Sequence, residues 1–130
     1  MQEGECQSGA TGQSVAWMLP EELFDLARHS EEDLITEVLS LFMSDSASRL
    51  LALKSAVLRG DTDAIRSGAH ALKGSAGQVG AAGMAEACRL MEESCVSANT
   101  GHWTVLLERL QARFQEACEA MSGFQERPRG

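Results

Sequence analysis

Hydrophobic residues recur every three or four positions along most of the chain, which is the spacing of an amphipathic α-helix. The pattern predicts four long helices, over residues 31–59, 62–79, 82–97 and 102–121. A shorter segment, 20–29, opens with a proline at a first helical position and predicts a further helix. Each apolar stripe covers one side of its helix, so each helix must bury that side against a neighbour.

The stripes also predict the core. The residues expected to face inward on the four long helices are Leu34, Val38, Phe42, Leu50, Leu53 and Val57; Ile65, Ala69, Leu72, Ala76 and Val79; Met84, Cys88, Met91 and Cys95; and Trp103, Leu107, Leu110, Phe114, Cys118 and Met121. Gly60 and Gly80 predict helix ends, and Asp61 predicts an N-cap. Because short connections make consecutive helices antiparallel, the predicted fold is all-α: an up-and-down antiparallel four-helix bundle with a short additional N-terminal helix.

Composition agrees with a single helical domain. The chain has 130 residues, 44% of them hydrophobic, which suffices for one core. Polar, glycine-rich sequence predicts a flexible N-terminal tail over residues 1–15, and a second short tail is expected at 124–130. The bundle is expected between them, over residues 16–123. An initial Met1 favours a protein that stands alone over an excised domain.

Charge and cysteine content narrow the partners and the compartment. A formal net charge of −8 disfavours nucleic acid and anionic membrane surfaces as partners. No apolar run approaches the ~20 residues of a membrane span, and no export signal opens the chain, so a cytoplasmic location is expected. Cys6, Cys88, Cys95 and Cys118 form no C-x-x-C pair, which predicts reduced and mostly buried thiols.

One histidine of the 62–79 segment lies off the apolar stripe. At 100° per residue, His70 shares its side of the helix with Arg66, Lys73, Gly74 and Gly77. Helical side chains lean toward the N-terminus, so a side chain at position 74 would lie over the ring, and glycine leaves it open. Each interior glycine costs a helix about 1 kcal/mol. Glycines used for helix packing belong on the apolar stripe, whereas Gly74 lies on the other side.

These residue types suit phosphoryl transfer. A neutral imidazole is a competent nucleophile near pH 7. The transition state of phosphoryl transfer needs an in-line approach and nearby positive charge, which Lys73 supplies. The alternative interpretation is a solvated surface histidine beside an ordinary exposed lysine. The conjunction of His70, Lys73 and Gly74 on one side favours a reactive site that a partner protein approaches.

The stretch "AHALKGSAGQVGA", residues 69–81, resembles the signature of histidine-containing phosphotransfer (HPt) domains: a histidine, then x-L-K-G-S, and a closing glycine-alanine. The matching residues are His70, Leu72, Lys73, Gly74, Ser75, Gly80 and Ala81. The flanking stretches "LFMSDSASRLLALKSAVLRGDTDAIRSGAH" and "ACRLMEES" are similar to the helices before and after the histidine in that family. The resemblance covers nearly the whole chain between the tails.

The resemblance implies a phosphorelay intermediate. His70 would accept a phosphoryl group from an aspartate of a receiver domain and pass it to another receiver, so the implied partners are receiver domains and hybrid sensor histidine kinases. It assigns charge stabilisation to Lys73 and partner clearance to Gly74. Gln78 is expected to hydrogen-bond the phosphoryl group or its partner. Glu92 is expected to orient the imidazole, but a carboxylate also repels phosphate, and a solvated charge at a helix edge is the alternative.

No glycine-rich nucleotide loop or P-loop occurs, so the chain is expected to carry a phosphoryl group without being an enzyme that makes one. No cofactor is expected on this chain, and Mg²⁺ is expected on the partner receiver. Two other hypotheses stay open. One is a non-catalytic adaptor that binds and sequesters a receiver or kinase. The other is a metal or haem bundle using His29, His70 or His102, which their unpaired spacing disfavours.

Overall fold

The computed structural model describes residues 17–21, 34–97 and 100–125. Four helices are present in this part of the chain, and it holds no β-strand. They are α1 (Leu34–Arg59), α2 (Thr62–Val79), α3 (Ala82–Ser97) and α4 (Thr100–Gln125). Consecutive helices pack together, and α1 also packs on α4, which closes the bundle. The predicted all-α four-helix architecture is confirmed.

The N-terminal part of the prediction is only partly described. Glu21 is helical, but most of the predicted short helix lies outside the described residues, as do residues 31–33 and the predicted tail over 1–15. None of the helices in the described ranges is both long enough and apolar enough to cross a membrane.

The core row of α1 differs from the predicted stripe. At two places the buried residue is the neighbour of the predicted one: Leu39 and Ala56 are 0% and 2% exposed, while the predicted Val38 and Val57 are half-buried. The row also passes through Ser46, which is fully buried although it is polar. Because this serine is polar, the hydrophobicity pattern does not show that the buried row passes through it. The predicted row is therefore displaced by one residue at Val38 and at Val57.

The other three helices bury nearly all of their predicted stripes. All nine residues predicted to face inward from α2 and α3 are buried, and from α4 only Phe114 and Cys118 are half-buried. Cys88 and Cys95 are buried free thiols and Cys118 is also free, whereas Cys6 lies outside the described residues. Burial raises the pKa of the Cys88 thiol to about 12, so this cysteine is unreactive.

Two glycines end helices as predicted. Gly60 and Gly80 adopt left-handed backbone conformations with φ of 67° and 85°. In the turn at Gly80, Ala81 N donates to Ala76 O at 2.8 Å, which is the long hydrogen bond of a Schellman motif. The Asp61 carboxylate caps α2 by accepting from the backbone N–H of Ala64 at 3.2 Å.

Residues 17 and 18 attach to the C-terminal end of α2. The Trp17 indole donates to Val79 O at 2.6 Å, and Met18 N donates to Gly80 O at 3.1 Å. The Trp17 ring also meets Phe124 edge-on, with centroids 5.5 Å apart. The N-terminal segment thereby joins α2 to the end of α4.

Helix α4 is longer than predicted at both ends, beginning at Thr100 and ending at Gln125. Phe124 packs against the core, and the Gln125 amide donates to Thr36 O at 2.9 Å. These contacts extend the helix into the first two residues of the expected C-terminal tail, and the remainder of that tail lies outside the described residues.

The two left-handed glycines provide a matched pair of variants. A Cβ at Gly80 would lie 2.0 Å from Met18 O, whereas a Cβ at Gly60 would meet open space. We expect Gly60→Ala to lose about 1 kcal/mol of unfolding free energy from backbone strain alone. Gly80→Ala should lose about 3 kcal/mol, because it also breaks the attachment of Trp17 and Met18. Urea denaturation followed by circular dichroism measures both, and equal losses would contradict the close approach at Gly80.

Candidate functional site

His70 lies on the outer surface of α2, away from the buried row of that helix. Its side chain is 69% exposed. Toward the C-terminus, Gly74 and Gly77 follow on the same side, and a Cβ at either position would meet open space. The imidazole is therefore approachable from solvent across a surface that carries no side chain at these two positions.

One edge of the His70 ring is held by a residue of the neighbouring helix. Nδ1 lies 2.9 Å from Oε2 of Glu92, which α3 places opposite His70. The Lys73 ammonium lowers the pKa of the Glu92 carboxyl, desolvation opposes this, and His70 lowers it further. The carboxylate is therefore ionised at neutral pH and only accepts, so Nδ1 carries the proton and donates.

The Nδ1–H tautomer leaves the lone pair of the neutral ring on Nε2. Nε2 has no hydrogen-bond partner among the described residues, and the exposure of the ring opens it to solvent. The arrangement supplies an oriented nitrogen nucleophile at the protein surface, with its second nitrogen fixed by a carboxylate.

Lys73 is held by the same carboxylate. Its Nζ lies 2.8 Å from Glu92 Oε1, while Oε2 holds His70. Glu92 is 23% exposed, and its carboxylate contacts both side chains. The sequence predicts only that Lys73 lies on the same side of α2 as His70. In the structure the Glu92 carboxylate pairs with both side chains and so holds Lys73 near the ring.

Two arginines near the site are already paired. Arg66, one turn before His70, forms an ion pair with Asp63 at 3.3 Å. Arg89 of α3 forms two ion pairs, with nitrogen–oxygen distances of 2.6 Å to Glu86 and 2.5 Å to Glu93. The sequence pattern did not single out Arg89 as a site residue, although its spacing from these glutamates is that of helical ion pairs.

Lys73 and Arg89 line one depression on the α2–α3 side of His70. Its volume is about 370 Å³, and its other lining residues are Gly77, Gly80, Ala82, Ala85 and Glu86. We call it the α2–α3 depression. Four of its seven lining residues are glycine or alanine, and the other three are charged.

Gln78 is the predicted site residue that the structure does not bring to His70. It follows the histidine by eight positions, which is about 12 Å along the helix axis. It lines a groove with α1 residues such as Leu41 and Asp45, on the opposite side of α2 from α3. The i, i+8 spacing puts Gln78 about 80° around the helix from His70, but it does not show that α1 packs on that side.

The remaining histidines lie apart from this site. His102 is exposed near the start of α4, and His29 lies outside the described residues. Among the described side chains, no three of His, Cys, Asp or Glu are grouped so as to hold a metal ion.

Comparison with known proteins identifies the family of this chain. The family model described as "Hpt domain" matches residues 37–123. Since this match covers more than half of the chain, the chain belongs to the family of histidine-containing phosphotransfer domains, and the resemblance stated from residues 69–81 is confirmed. Such a domain is a component of a phosphorelay.

A solved structure shows the same fold. The crystal structure of histidine-containing phosphotransfer protein B (HptB) from Pseudomonas aeruginosa PAO1 matches with a TM-score of 0.74 and 28% sequence identity. The match covers 85% of this chain and 96% of that chain. None of the curated proteins matches.

The bridging carboxylate predicts a pH dependence of stability. Folding lowers the pKa of Glu92. The ionised carboxylate therefore contributes fully to the free energy of unfolding above about pH 5, and this contribution is lost as the pH falls through the lowered pKa of the folded state. We expect Glu92→Gln to be less stable than the parent by about 1 kcal/mol at neutral pH and equally stable in acid. Urea unfolding at a series of pH values measures this difference.

The control is the same substitution made in a Lys73→Ala background. There Glu92→Gln should change the stability less, because the main cause of the lowered pKa is gone. A stability difference that does not change with pH would contradict the ionised bridge.

Proposed function

We propose that this chain carries a phosphoryl group on Nε2 of His70, received from an aspartyl phosphate of a receiver domain and passed to an aspartate of another receiver. The observation that carries the proposal is the exposed ring whose Nδ1 is held by Glu92 and whose Nε2 is open. The structural similarity to HptB, a histidine-containing phosphotransfer protein, supports the same chemistry.

Acceptance is a displacement at phosphorus. The Nε2 lone pair forms an N–P bond, the P–O bond to the aspartate breaks, and that aspartate leaves as a carboxylate. The ring keeps its Nδ1 proton and becomes an imidazolium. Glu92 stabilises the new positive charge because its carboxylate lies 2.9 Å from Nδ1. In onward transfer a second aspartate attacks phosphorus, and the neutral imidazole leaves.

The charges around the ring suit both the acceptance of the phosphoryl group and its onward transfer. Glu92 faces Nδ1, so the ring itself separates the carboxylate from a group on Nε2. The Lys73 ammonium, 2.8 Å from the same carboxylate, offsets its repulsion of phosphate. As negative charge collects on the phosphoryl oxygens in the transition state, Lys73 is the nearby cation that can neutralise it.

We propose that a kinase, and not this chain, introduces the phosphoryl group into the relay. This chain supplies the nucleophile, the carboxylate that orients it and one cation. We propose that the receiver supplies the aspartate and the Mg²⁺. Receiver domains and hybrid sensor kinases are therefore the proposed partners.

Replacement of the nucleophile tests the proposal directly. When the chain is incubated with ³²P-labelled receiver domains from the same genome, we expect an acid-labile, alkali-stable label on the parent protein. His70→Gln should carry none of it, and because the ring is 69% exposed its circular dichroism spectrum should stay that of the parent. Label retained by the variant would contradict the proposal, as would an unchanged biological output, which the adaptor hypothesis expects.

The open space that Gly74 leaves beside the His70 ring predicts a variant that is more stable than the parent but slower in transfer. Gly74→Gln should stabilise α2 by about 0.5–1 kcal/mol, because glutamine is the better helix former and a Cβ there meets open space. The same side chain leans over His70, so transfer should slow by about a hundredfold.

The matched control is Gly123→Gln, since a Cβ at this helical glycine of α4 also meets open space. It should raise stability similarly and leave the transfer rate unchanged. Quench-flow measurement of label transfer, with urea unfolding of the same samples, separates the two effects. Normal transfer by Gly74→Gln would refute the clearance argument.

A further inference from the structure

Three large apolar side chains are exposed on the outer surface of α1. Leu41, Leu51 and Leu58 are between 70% and 79% exposed. Single exposed leucines are common on protein surfaces, but these three belong to one row in which steps of three and four residues alternate, the spacing of the a and d positions of a coiled coil. We call this row the outer strip of α1. All six of its residues are exposed: Leu41, Ser44, Ser48, Leu51, Ser55 and Leu58.

The outer strip points directly away from the core. At 100° per residue, its mean direction is about 180° from that of the buried row of α1, which includes Leu39, Phe42 and Leu53. Helices α2 and α4 pack on α1, and within the described part of the chain neither of them buries the strip. From its first leucine to its last the strip is about 26 Å long. It therefore offers a continuous surface to another helix.

The outer strip is complementary to a second copy of itself in one antiparallel register. When Leu41 of one copy lies opposite Leu58 of the other, every remaining position of the strip also has a partner. Ser44 then lies opposite Ser55, and Ser48 lies opposite Leu51. This is a pairing of a positions with d positions. Large side chains meet at both ends, and in the middle each leucine packs over a serine, which leaves room for it.

Charge favours the antiparallel direction. Glu37 lies in the first turn of α1 and Arg59 in its last turn. In the register above, Arg59 of each copy lies about 4.5 Å along the axis from Glu37 of the other and about 7.5 Å from Asp45. A parallel pair would instead place like charges together. Arg59 and Asp45 now form exposed ion pairs, with Asp61 at 3.5 Å and with Arg49 at 2.8 Å, which cost little to exchange.

We infer that the outer strip of α1 is the interface of a two-fold symmetric, antiparallel dimer of this chain. The strip carries no charged side chain, so two copies of a chain of net charge −8 meet there with the least repulsion. Over residues 37–59 the contact is about 33 Å long and 12 Å wide, or about 400 Å² on each copy. That is half of a standard interface, so the dimer is weak and reversible, with a Kd of about 10–100 µM.

Sedimentation equilibrium of the full chain, from micromolar to millimolar concentration, tests the inference. We expect the parent to pass from monomer to dimer. Leu51→Asp should raise the Kd at least about tenfold, because it places two carboxylates next to the two-fold axis. The control is Val96→Asp on α3, which makes the same change of charge at a side chain that is 84% exposed. Its Kd should stay within about twofold of the parent, and both variants should keep the parent's circular dichroism spectrum.

Chemical cross-linking tests the direction of the pair. In the antiparallel register the two copies of residue 48 lie about 4.5 Å apart along the axis, whereas the two copies of residue 44 lie about 16 Å apart. In a background of Cys6→Ser and Cys118→Ser, a short bis-maleimide should therefore link two copies of Ser48→Cys and fail to link two copies of Ser44→Cys. A parallel pair would link both variants alike.

Each other outcome overturns the inference. A parent that stays monomeric up to millimolar concentration leaves the strip to another occupant. A dimer that Leu51→Asp does not weaken uses a different surface, and equal weakening by Val96→Asp shows that net charge alone controls the association. Equal cross-linking of the two cysteine variants contradicts the antiparallel register. A monomeric parent whose unfolding free energy falls in Leu51→Asp shows that the chain itself covers the strip. None of these results depends on whether His70 accepts a label, so the proposed function is tested separately.

Discussion

The carboxylate of Glu92 is the group on which the proposed site depends. One oxygen accepts from Nδ1 of His70 and the other pairs with Nζ of Lys73, so one side chain fixes the proton of the ring and the position of the nearest cation. Without it the ring would be an ordinary surface histidine free to exchange tautomers, and the lysine a mobile cation in solvent. The cost of placing a carboxylate near a phosphoryl site is offset by the ammonium that it holds.

This bridge requires α2 and α3 to keep a fixed rotation and register. The connection between them is two residues long, and the left-handed conformation of Gly80 turns the chain directly back. Both helices bury their inner rows, which include Ala69 and Ala76 on α2 and Met84 and Met91 on α3. The close approach of Met18 to Gly80 adds a second constraint at the same turn. The geometry of the site is therefore set by packing some distance from the histidine.

Helix α2 serves two purposes on opposite sides. Its inner row packs with α1 and α3, and its outer surface carries His70 with two glycines that no packing explains. Those glycines weaken the helix by about 1 kcal/mol each relative to alanine. The proposed function accounts for that cost, because a partner must bring an aspartyl phosphate into contact with Nε2. The α2–α3 depression, lined by Lys73 and Arg89, lies beside this surface.

The sequence by itself determined the features that depend on local geometry. Helices α2 and α3, their turn glycines, the Asp61 cap and the placement of His70, Gly74 and Gly77 on one side follow from hydrogen bonds and side-chain directions within a few residues. Only the tertiary structure decided that Glu92, twenty-two positions from His70, bridges it to Lys73. It also decided that Gln78 faces α1, that Leu39 rather than Val38 is fully buried, and that Trp17 attaches to α2. The reason is that neighbouring positions differ by 100° around a helix, and which of them meets another helix is set by the packing of both.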